Sequence, residues 1–550
     1  MADNSDIELV RQILADHAKF KNDRTSFEEQ WNEIIERVLP RFRKFNSGHE
    51  LPGQKRTQNI FDSTASMALR HFAAAFDSMI TPRTQKYQRL TTSNLALRDN
   101  DNVKAYLEAV TDVQFSMRYR WRAGFTTQMG EFYVGQGAFG SSGLMIEDTG
   151  NPMQPVRYRN IRLSQLYFSE GADGLVDKAH MVWKLTARQA AQRWGRNALP
   201  DTVKNALDRN NYEQCFDFLH CIQPRDQRDP TKRDSRNMRY QSVWICRQGD
   251  VIVEHGGFRT FPLAVGRFYS TDDSPYAYSP AMESLPDINM LNEMERTNIR
   301  GAQKLVDPPL LLPEDGVLEG FDLRSGALNY GGLNEQGQQM VQPLQLGNNV
   351  PLGIEYANQK REAVNLGFYV TLFQIMVDTP AMTATEVLER AQEKGILLAP
   401  TMGRVQSETL GPLTERELDI AMNYGLLPPM PDELREAGAD VEIEYDSPLN
   451  RAMRSGEASA TLQWLGAIAP LAQIDPRVQA VPNAVEIARG LADSLSVPTK
   501  YLNTEDQTEA DIAAQQQQAQ AAELLQAAPI AAATAKDMTA AAANAQNATI

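Results

Sequence analysis

The strongest constraint on the fold is a stretch rich in proline and glycine, residues 307–350, that separates two segments with helical periodicity. It begins "DPPLLLPEDG" and ends "LGNNV". Proline lacks the backbone donor that a helix needs, and glycine loses more conformational entropy than other residues on folding. Neither helix can therefore continue through this segment. Because long connections in compact proteins are usually functional, its apolar start, at Leu310, Leu311 and Leu312, is a candidate partner surface.

The flanking segments, 279–306 and 354–376, both have the apolar spacing of helices. Ser279 can cap the first of them, and Pro280 suits its first position. The residues at helical spacing are Leu291, Met294, Ala302 and Leu305 in the first segment, and Val364, Phe368, Leu372 and Ile375 in the second.

A basic stripe also runs along the first helix. Arg296, Arg300 and Lys304 follow one another at steps of four, so they share one side of it. Such a stripe can face a polyanion or acidic residues of a neighbouring copy. The sequence leaves both alternatives open.

A second interruption, "VDTPAMTATEVLER" at 377–390, lies between two helical stretches. Pro380 disfavours helix for the residue before it, and Thr383 with Glu386 has the spacing of a capping box. The pattern predicts a short loop held between two helices. An ordinary helix–helix connector remains the alternative to a functional loop.

The rest of the chain predicts an α+β fold that is mainly α. Residues 5–39 have helical periodicity, and Thr25 with Glu28 suggests a capping box where a second helix begins. A further helix is predicted at about 63–79, with the apolar stripe Ala65, Ala68, Phe72, Phe76 and Met79, and "VEIEYDSPL" is predicted to form a strand. Short β-type runs dominate 138–270, among them a hairpin with the turn "QGD" and a helix capped by Thr186.

Composition argues against a protein that coats nucleic acid. The chain has 550 residues and a formal net charge of -15, whereas proteins that coat nucleic acid carry a basic surface. Three cysteines, an odd number, make a disulfide framework unlikely and favour a reducing compartment. No apolar run approaches the roughly 18 residues of a membrane span, so no membrane association is expected.

Candidate motifs of catalysis or cofactor binding lack their essential residues or context. "GQGAFG" at 135–140 has a helix before it and a strand after it, the reverse of a dinucleotide site, and reads as a helix-to-strand turn. Cys215, His220 and Cys221 lack a second ligand pair and read as buried strand residues. "RYRWR" at 118–122 either contacts phosphate or lies on a solvated, partner-facing helix. We therefore expect no enzyme, no metal and no cofactor.

The order of these segments resembles the portal, or head-to-tail connector, proteins of short-tailed bacteriophages. The resemblance covers nearly the whole chain and is most specific in "SPAMESLPDINMLNEMERTNIRGAQKLVDPPLLLPEDG", followed by "PAMTATEVLERAQEK" and "NIFDSTASMALRHFAAAFDSMITP". One departure is Ala277, where the family pattern has glycine, and it affects the turn into the helix at 279.

The resemblance implies a portal fold in a ring-shaped homo-oligomer, usually of twelve subunits, around a channel for double-stranded DNA. The implied regions are a wing at 1–278, stem helix 1 at 279–306, a clip at 307–350, stem helix 2 at 351–376, a channel loop at 377–385, a wing helix and return strand at 386–450, a helical crown at 451–508, and an Ala/Gln-rich tail at 509–550 that can form a barrel helix.

The implied function is a conduit at one capsid vertex for DNA packaging and ejection. The implied partners are DNA in the channel, the terminase motor, tail adaptor and nozzle proteins, and capsid and scaffolding proteins. The protein would reside in the virion, and in the host cytoplasm during assembly. The implied channel-loop residues are Asp378, Thr379, Pro380, Ala381, Met382 and Thr383. The alternative is another large virion protein, or a nucleic-acid enzyme without a recognisable motif.

Overall fold

The structure is a computed structural model. It describes residues 4–45, 53–83, 85–98, 100–232, 234–311, 350–371, 402–438, 441–445, 458–468 and 481–494, together with short pieces within 327–343 and 470–518. The described chain forms two compact units, one made of 1–87, 113–427 and 445–449, the other of 88–112, 428–444 and 450–550.

The first unit combines helices with antiparallel sheets, in chain order as follows. Its helices are α1 (Asn4–Asp23), α2 (Thr25–Arg37), α3 (Thr64–Ile80), the end of α5 (Asp101–Arg118), α6 (Phe125–Phe139), α7 (Ala187–Trp194), α8 (Asp201–Asp208), α9 (Pro280–Glu283), α10 (Leu285–Val306), α11 (Val350–Gly367) and α12 (Gly411–Asn423), the last preceded by a π-helical turn at Gln406–Leu410. Its strands are β2 (Ser141–Asp148), β3 (Val156–Ile161), β4 (Leu166–Glu170), β5 (Val176–Thr186), β6 (Cys215–Pro224), β7 (Tyr240–Cys246), β8 (Val251–Phe258), β9 (Leu263–Arg267), β10 (Tyr269–Thr271), β11 (Ser274–Tyr278), β12 (Leu310–Leu311) and β13 (Gln342–Pro343).

A five-stranded sheet of order β4-β5-β6-β7-β8 is covered by helices on both faces. Because side chains alternate across a strand, neighbouring residues of β6 serve different cores. Phe218 packs with Ala187 and Val203 of α7 and α8. Leu219, its neighbour, packs with Ile13 of α1 on the other face. This is why these strands are apolar on both sides.

The main core of the first unit lies where α3 and α6 pack beside the three-stranded sheet β3-β2-β9. Its largest fully buried side chains include Trp31, Phe72, Phe76, Phe132 and Tyr133. Phe72 and Phe76 come from the apolar stripe of α3, one turn apart, and their ring centroids are 4.4 Å apart. The predicted stripe therefore forms the centre of the core.

A fully buried ion pair joins α5 to α12 within this unit. Arg118 donates to both carboxylate oxygens of Glu417, at 3.0 and 2.7 Å, and to the hydroxyl of Tyr87 at 2.6 Å. Tyr158 donates its hydroxyl to the same carboxylate. Burial lowers the pKa of Arg118, but its interactions with Glu417, Tyr87 and Tyr158 together outweigh burial and raise the pKa, so the arginine stays charged.

The second unit contains β1 (Gln88–Thr92), α4 (Leu95–Arg98), the start of α5, α13 (Asp432–Ala437), β14 (Val441–Tyr445), a helical stretch at 458–468 and α14 (Ala484–Ser494). β1 and β14 form a two-stranded sheet. Arg89 donates to Glu444 at 2.9 Å across that pair. The predicted strand "VEIEY" is thus confirmed, with β1 as its partner.

The α+β fold class is confirmed, and several local predictions can be scored. The β7–β8 hairpin and the Thr186 cap are present, the latter as a capping box with Gln189. The capping box predicted at Thr25 is wrong, because Arg24 occupies the N-cap position and Glu28 pairs with Arg24 at 2.6 Å instead. A buried charge needs a partner more than a helix terminus needs a cap.

Two buried histidines, His17 and His180, lie between α1 and the five-stranded sheet. Among the described residues, neither the Nδ1 of His17 nor either ring nitrogen of His180 has a hydrogen-bond partner. Their ring centroids are 5.8 Å apart. Burial, reinforced by Arg247, Arg24 and Lys21, lowers the pKa of His17 to about 4. Burial, then the charges of His17 and Lys178, lowers the pKa of His180 to about 3.

We predict that acid weakens the docking of α1 on the sheet. Because the folded pKa of each histidine lies below its unfolded value, the unfolded state binds more protons, and the stability from the neutral pair is complete above about pH 6.5. It falls by up to about 1.4 kcal/mol per histidine and pH unit as the pH drops towards 4. Hydrogen exchange of the α1 amides, measured from pH 7 to 4, should show the loss.

The double variant His17→Leu, His180→Leu is the control, since it removes both titrating groups from the apolar contact. Its α1 protection should vary less with pH than that of the wild type. An equally steep profile in the double variant would show that other groups cause the pH dependence.

Candidate functional site

The helices α10 and α11, which flank the Pro/Gly segment, pack against each other as an antiparallel pair. Near the base, a Cβ on Gly367 would lie 2.2 Å from the Oγ of Ser284. Further out, a Cβ on Gly353 would lie 2.2 Å from the Oδ1 of Asn298. Two glycines therefore allow the helices to approach more closely than larger residues would permit.

The turn that starts this pair is built around Ser279. Its Oγ accepts from the Met282 amide at 3.0 Å and donates to the Ala138 carbonyl at 2.8 Å. The predicted cap and the position of Pro280 are confirmed. Ala277, the departure from the family pattern, is fully buried, and a Cβ on Gly140 would lie 2.1 Å from its carbonyl oxygen. Close packing here thus depends on the glycine at 140.

The predicted single helix 279–306 is two helices. α9 ends at Glu283, and Ser284 separates it from α10. Pro286 lies in the first turn of α10. Proline provides no backbone N–H, so a helix begins more readily there than it continues.

The base of α10 is fixed by side-chain amides. Asn292 accepts from the Phe61 amide at 2.8 Å and donates to the Asn59 carbonyl at 3.0 Å. One turn earlier, Asn289 donates to Glu33 of α2 at 2.6 Å. Asn292 is buried among apolar residues of α10, so it pins the helix to the 59–61 segment.

Ion pairs join the two helices to each other and to the rest of the base. Lys360 of α11 lies 2.8 Å from Asp287 of α10. Arg361 contacts Asp62 at 2.9 Å and Glu295 at 2.5 Å. Burial lowers the pKa of Arg361, but its hydrogen bond and charge interaction with Asp62 outweigh that effect and raise it. Both basic residues of α11 are therefore neutralised within the chain.

Away from the base, the pair leaves large apolar side chains in solvent. On α10 the buried residues stop at Asn292, and Ile299, Leu305 and Val306 are exposed. On α11, Leu352 and Tyr356 are likewise more than half exposed, and Leu366, near the base, is exposed as well. Of the apolar residues predicted at helical spacing on this helix, Leu291 is therefore buried, whereas Ala302 and Leu305 are exposed to solvent.

The basic stripe lies on this open part of α10. Arg296 approaches Glu293 at 3.4 Å and Phe61 at 5.8 Å from its ring centroid. Arg300 and Lys304 are exposed, and neither forms an ion pair with any residue that the structure describes. Arg300 and Lys304 are therefore the two residues of the stripe that no described residue neutralises.

The candidate partner surface and the candidate channel loop are described only in part. Leu310 and Leu311 form β12, paired with Pro343 and Gln342 of β13, and Leu311 is 52% exposed. Leu312 lies outside the described residues, as do Asp378, Thr379, Pro380, Ala381, Met382 and Thr383. The proposed roles of both sets stay predictions.

The second helix ends earlier than its periodicity suggests. α11 ends at Gly367, and Tyr369 adopts the left-handed conformation with φ 58°. A non-glycine residue pays an energetic cost for this conformation. The hydroxyl of Tyr369 meets that of Tyr269 in β10, and Phe368 beside it is fully buried. These tertiary contacts, which no local pattern indicates, interrupt the helical segment at Phe368 and Tyr369. Val370 and Thr371 are helical again, and Leu372 and Ile375 lie outside the described residues.

The other sequence motifs take structural roles. Gly140 caps α6 in the left-handed conformation before β2, so the helix-to-strand turn at 135–140 is confirmed. His220 and Cys221 are buried in β6, as predicted, whereas Cys215 is exposed. His220 stacks on Trp244 at 4.1 Å between ring centroids.

The described residues contain neither a cluster of metal-ligating side chains nor a helix suited to a membrane. No cluster of three or more metal-ligating side chains occurs there. Within the same residues, no helix combines the length and apolarity needed to cross a bilayer. The expectation that the chain is not an enzyme stays a prediction.

The "RYRWR" motif does not lie on a continuous helix. α5 ends at Arg118, whose side chain is the buried partner of Glu417, so the first arginine contacts neither phosphate nor solvent. Trp121 is 84% exposed, with Arg122 stacked on it at 4.4 Å. The local sequence does not indicate the role of Arg118, because its partner Glu417 is 299 residues away along the chain.

Comparison with known proteins shows the family to which this chain belongs. A family model described as "Bacteriophage head to tail connecting protein" matches residues 10–502, most of the chain. The chain belongs to this family. The resemblance found in its sequence is thereby confirmed.

Individual relatives of this head to tail connecting protein are also portal proteins. It is 28% identical over 523 residues to the "Probable portal protein" of Bordetella phage BPP-1, with 93% of each chain covered. It is 28% identical over 483 residues to the "Portal protein" of Salmonella phage epsilon15, covering 86% of this chain and 85% of the relative.

Among solved structures, a chain of the "Virion of native gene transfer agent (GTA) particle" has a TM-score of 0.33 and 13% identity, over 77% of this chain and 92% of that one. A likeness at this level carries no argument about fold or function.

We predict that Asn292→Ala destabilises the first unit by about 1–3 kcal/mol, because the Phe61 amide and Asn59 carbonyl lose their partner at a buried position. Thermal unfolding of the purified protein measures the change. Thr297→Ala, at an exposed position of the same helix, is the control and should change stability by less than about 0.5 kcal/mol. Equal effects of the two substitutions would contradict the anchoring role.

Proposed function

We propose that this head to tail connecting protein is a phage portal protein that forms a ring at one vertex of the capsid. The ring would conduct double-stranded DNA during packaging and ejection. Family membership and the two portal relatives support this function. The observation in this chain that carries it furthest is the α10–α11 pair, which is fixed firmly at its base and bears exposed apolar and unpaired basic residues beyond it.

Exposed apolar side chains on both helices support an oligomer. Large exposed apolar patches on soluble proteins mark interaction sites. Identical chains that meet through two different surfaces either close into a ring or grow into a filament. A closed ring, with the family's usual twelve copies, gives every such surface a partner and leaves an opening along the axis.

The regions inferred from the sequence give each part of the chain a role. α10 and α11 would form the stem, 307–350 the clip, 377–385 the channel loop, 1–278 and 386–450 the wing, and 451–508 the crown, with 509–550 as a possible barrel helix. The long Pro/Gly connection supports the clip assignment, since it starts with exposed Leu311.

The partners follow from this position in the particle. The clip, through Leu310, Leu311 and Leu312, would dock first the terminase motor and then the tail adaptor or nozzle proteins. Capsid and scaffolding proteins would surround the wing. The protein would reside in the virion at a capsid vertex, after assembly in the host cytoplasm.

Imaging and sizing the purified protein test the proposal directly. We expect rings with a central hole in negative stain, and particles of many times the 61.5 kDa chain mass by mass photometry. A single species at the chain mass at micromolar concentration would contradict the proposed function.

We predict that the ring passes duplex DNA without holding it. The net charge of -15 is repeated in each copy, so the summed field opposes a phosphate backbone except where basic residues offset it locally. Duplex binding to purified rings should therefore be weak at physiological salt. Nanomolar binding at physiological salt, measured by fluorescence anisotropy, would contradict a sliding channel.

We predict that replacing Leu310, Leu311 and Leu312 by serine leaves rings intact but prevents attachment of motor or tail proteins. The physical reason is the loss of apolar surface from a position outside the main core. Pull-down of partner proteins by assembled rings measures attachment. The control replaces three exposed residues elsewhere, Asp201, Thr202 and Asn205, by serine as well, and it should leave attachment unchanged. Normal attachment by the leucine variant would refute the docking role.

A further inference from the structure

The α10–α11 pair carries opposite charges on its two outer faces. With about 100° per residue, Arg300 lies roughly opposite Leu291, which is buried on the inner side of α10. On α11, Glu355 and Glu362 lie about 140–160° away from the buried Ala357. The basic residues and the acidic residues therefore point away from each other, to opposite sides of the pair.

Neither set is neutralised within the described chain. Arg300, Lys304, Glu355 and Glu362 are exposed and form no ion pair with a described residue. On α10 the acid beside the stripe, Glu293, is engaged by Arg296. This leaves one face of the pair basic and the other acidic.

The basic residues of α11 do not offset its acids. Lys360 pairs with Asp287, and Arg361 pairs with Asp62 and Glu295. The outer face of α11 is therefore negative, and the exposed Leu352 and Leu366 share it. Charge and exposed apolar surface therefore occur together on the outer face of α11.

We propose that the outer face of α10 in one copy binds the outer face of α11 in the next, with Arg300 paired to Glu355 of the neighbouring copy. The inference rests on the proposed ring and names the contact that closes it. Opposite faces of one rigid pair that carry complementary charge generate head-to-tail contacts, which is the type that a ring needs. It assigns the basic stripe to a neighbouring subunit rather than to DNA.

The heights of the two residues on the pair agree with this contact. Gly353 lies beside Asn298, and Gly367 lies beside Ser284. By that register Glu355 is level with Arg296, and Arg300 is four residues, about 6 Å, further from the base. Arg296 is already engaged by Glu293, so Arg300 is the arginine left to meet Glu355.

Charge reversal tests the contact. Arg300→Glu and Glu355→Arg should each raise the concentration at which rings dissociate by about tenfold or more, since like charges then meet at every interface. The double variant should return to within about threefold of the wild type. Arg209→Glu, at an exposed position elsewhere in the first unit, should behave as wild type. Mass photometry over a dilution series measures all four, with circular dichroism to check folding.

Cysteine cross-linking tests the same contact without changing its charge sign. In a Cys215→Ser background, an equal mixture of Arg300→Cys and Glu355→Cys chains should give covalent dimers on oxidation, and neither variant alone should do so. A chain with both cysteines should give a ladder of higher multimers.

The outcomes separate the inference from the proposed function. Rings that form normally in both reversal variants, without cross-linking, would overturn the contact and leave the ring standing. Normal rings together with altered duplex binding by Arg300→Glu would assign the stripe to DNA and also overturn it. If the wild-type chain forms no ring, the proposed function fails.

Discussion

Charged side chains inside the first unit bring together segments that are far apart in the sequence, and the fold depends on these pairs. Arg118 and Glu417 are both fully buried and hold α5 against α12. Arg267 of β9 likewise donates twice to Glu408 of the π-helical turn, at 2.9 Å each. A buried charge without its partner costs several kcal/mol. The chain therefore cannot form its core without also placing the segment 406–423.

That framework supports the base of the α10–α11 pair. Asn292, Asn289 and Arg361 fix the pair to α2 and to the 59–62 segment. Beyond the base, the same helices bury little and expose apolar and charged residues. The α10–α11 pair therefore combines a base that is fixed by contacts within the chain with an outer part whose apolar and charged side chains are exposed. This division is physically suited to a subunit whose stability comes from its own core and whose assembly comes from its neighbours.

Local sequence signals worked where a local interaction decides the outcome. Ser279 and Thr186 cap their helices as predicted, because a side chain hydroxyl meets a backbone amide only three residues away. Thr25 did not, because Glu28 was recruited by Arg24, which also donates to the carbonyls of Leu163 and Leu166. Capping is worth about 1 kcal/mol, less than the cost of leaving that arginine unpaired.

The sequence by itself determined the class of fold, the apolar stripes of α3 and α10, the position of the Pro/Gly interruption and the family. These follow from periodicity, from the backbone limits of proline and glycine, and from a segment order that covers the chain. Only the tertiary structure decided that Arg118 is buried, that α11 ends at Gly367 just before Tyr369, and which faces of the α10–α11 pair are exposed. The reason is that each of these depends on residues a hundred or more positions away, or on how two helices are rotated against each other. Neither a contact with a distant residue nor the rotation of two packed helices can be predicted from the local pattern of residues.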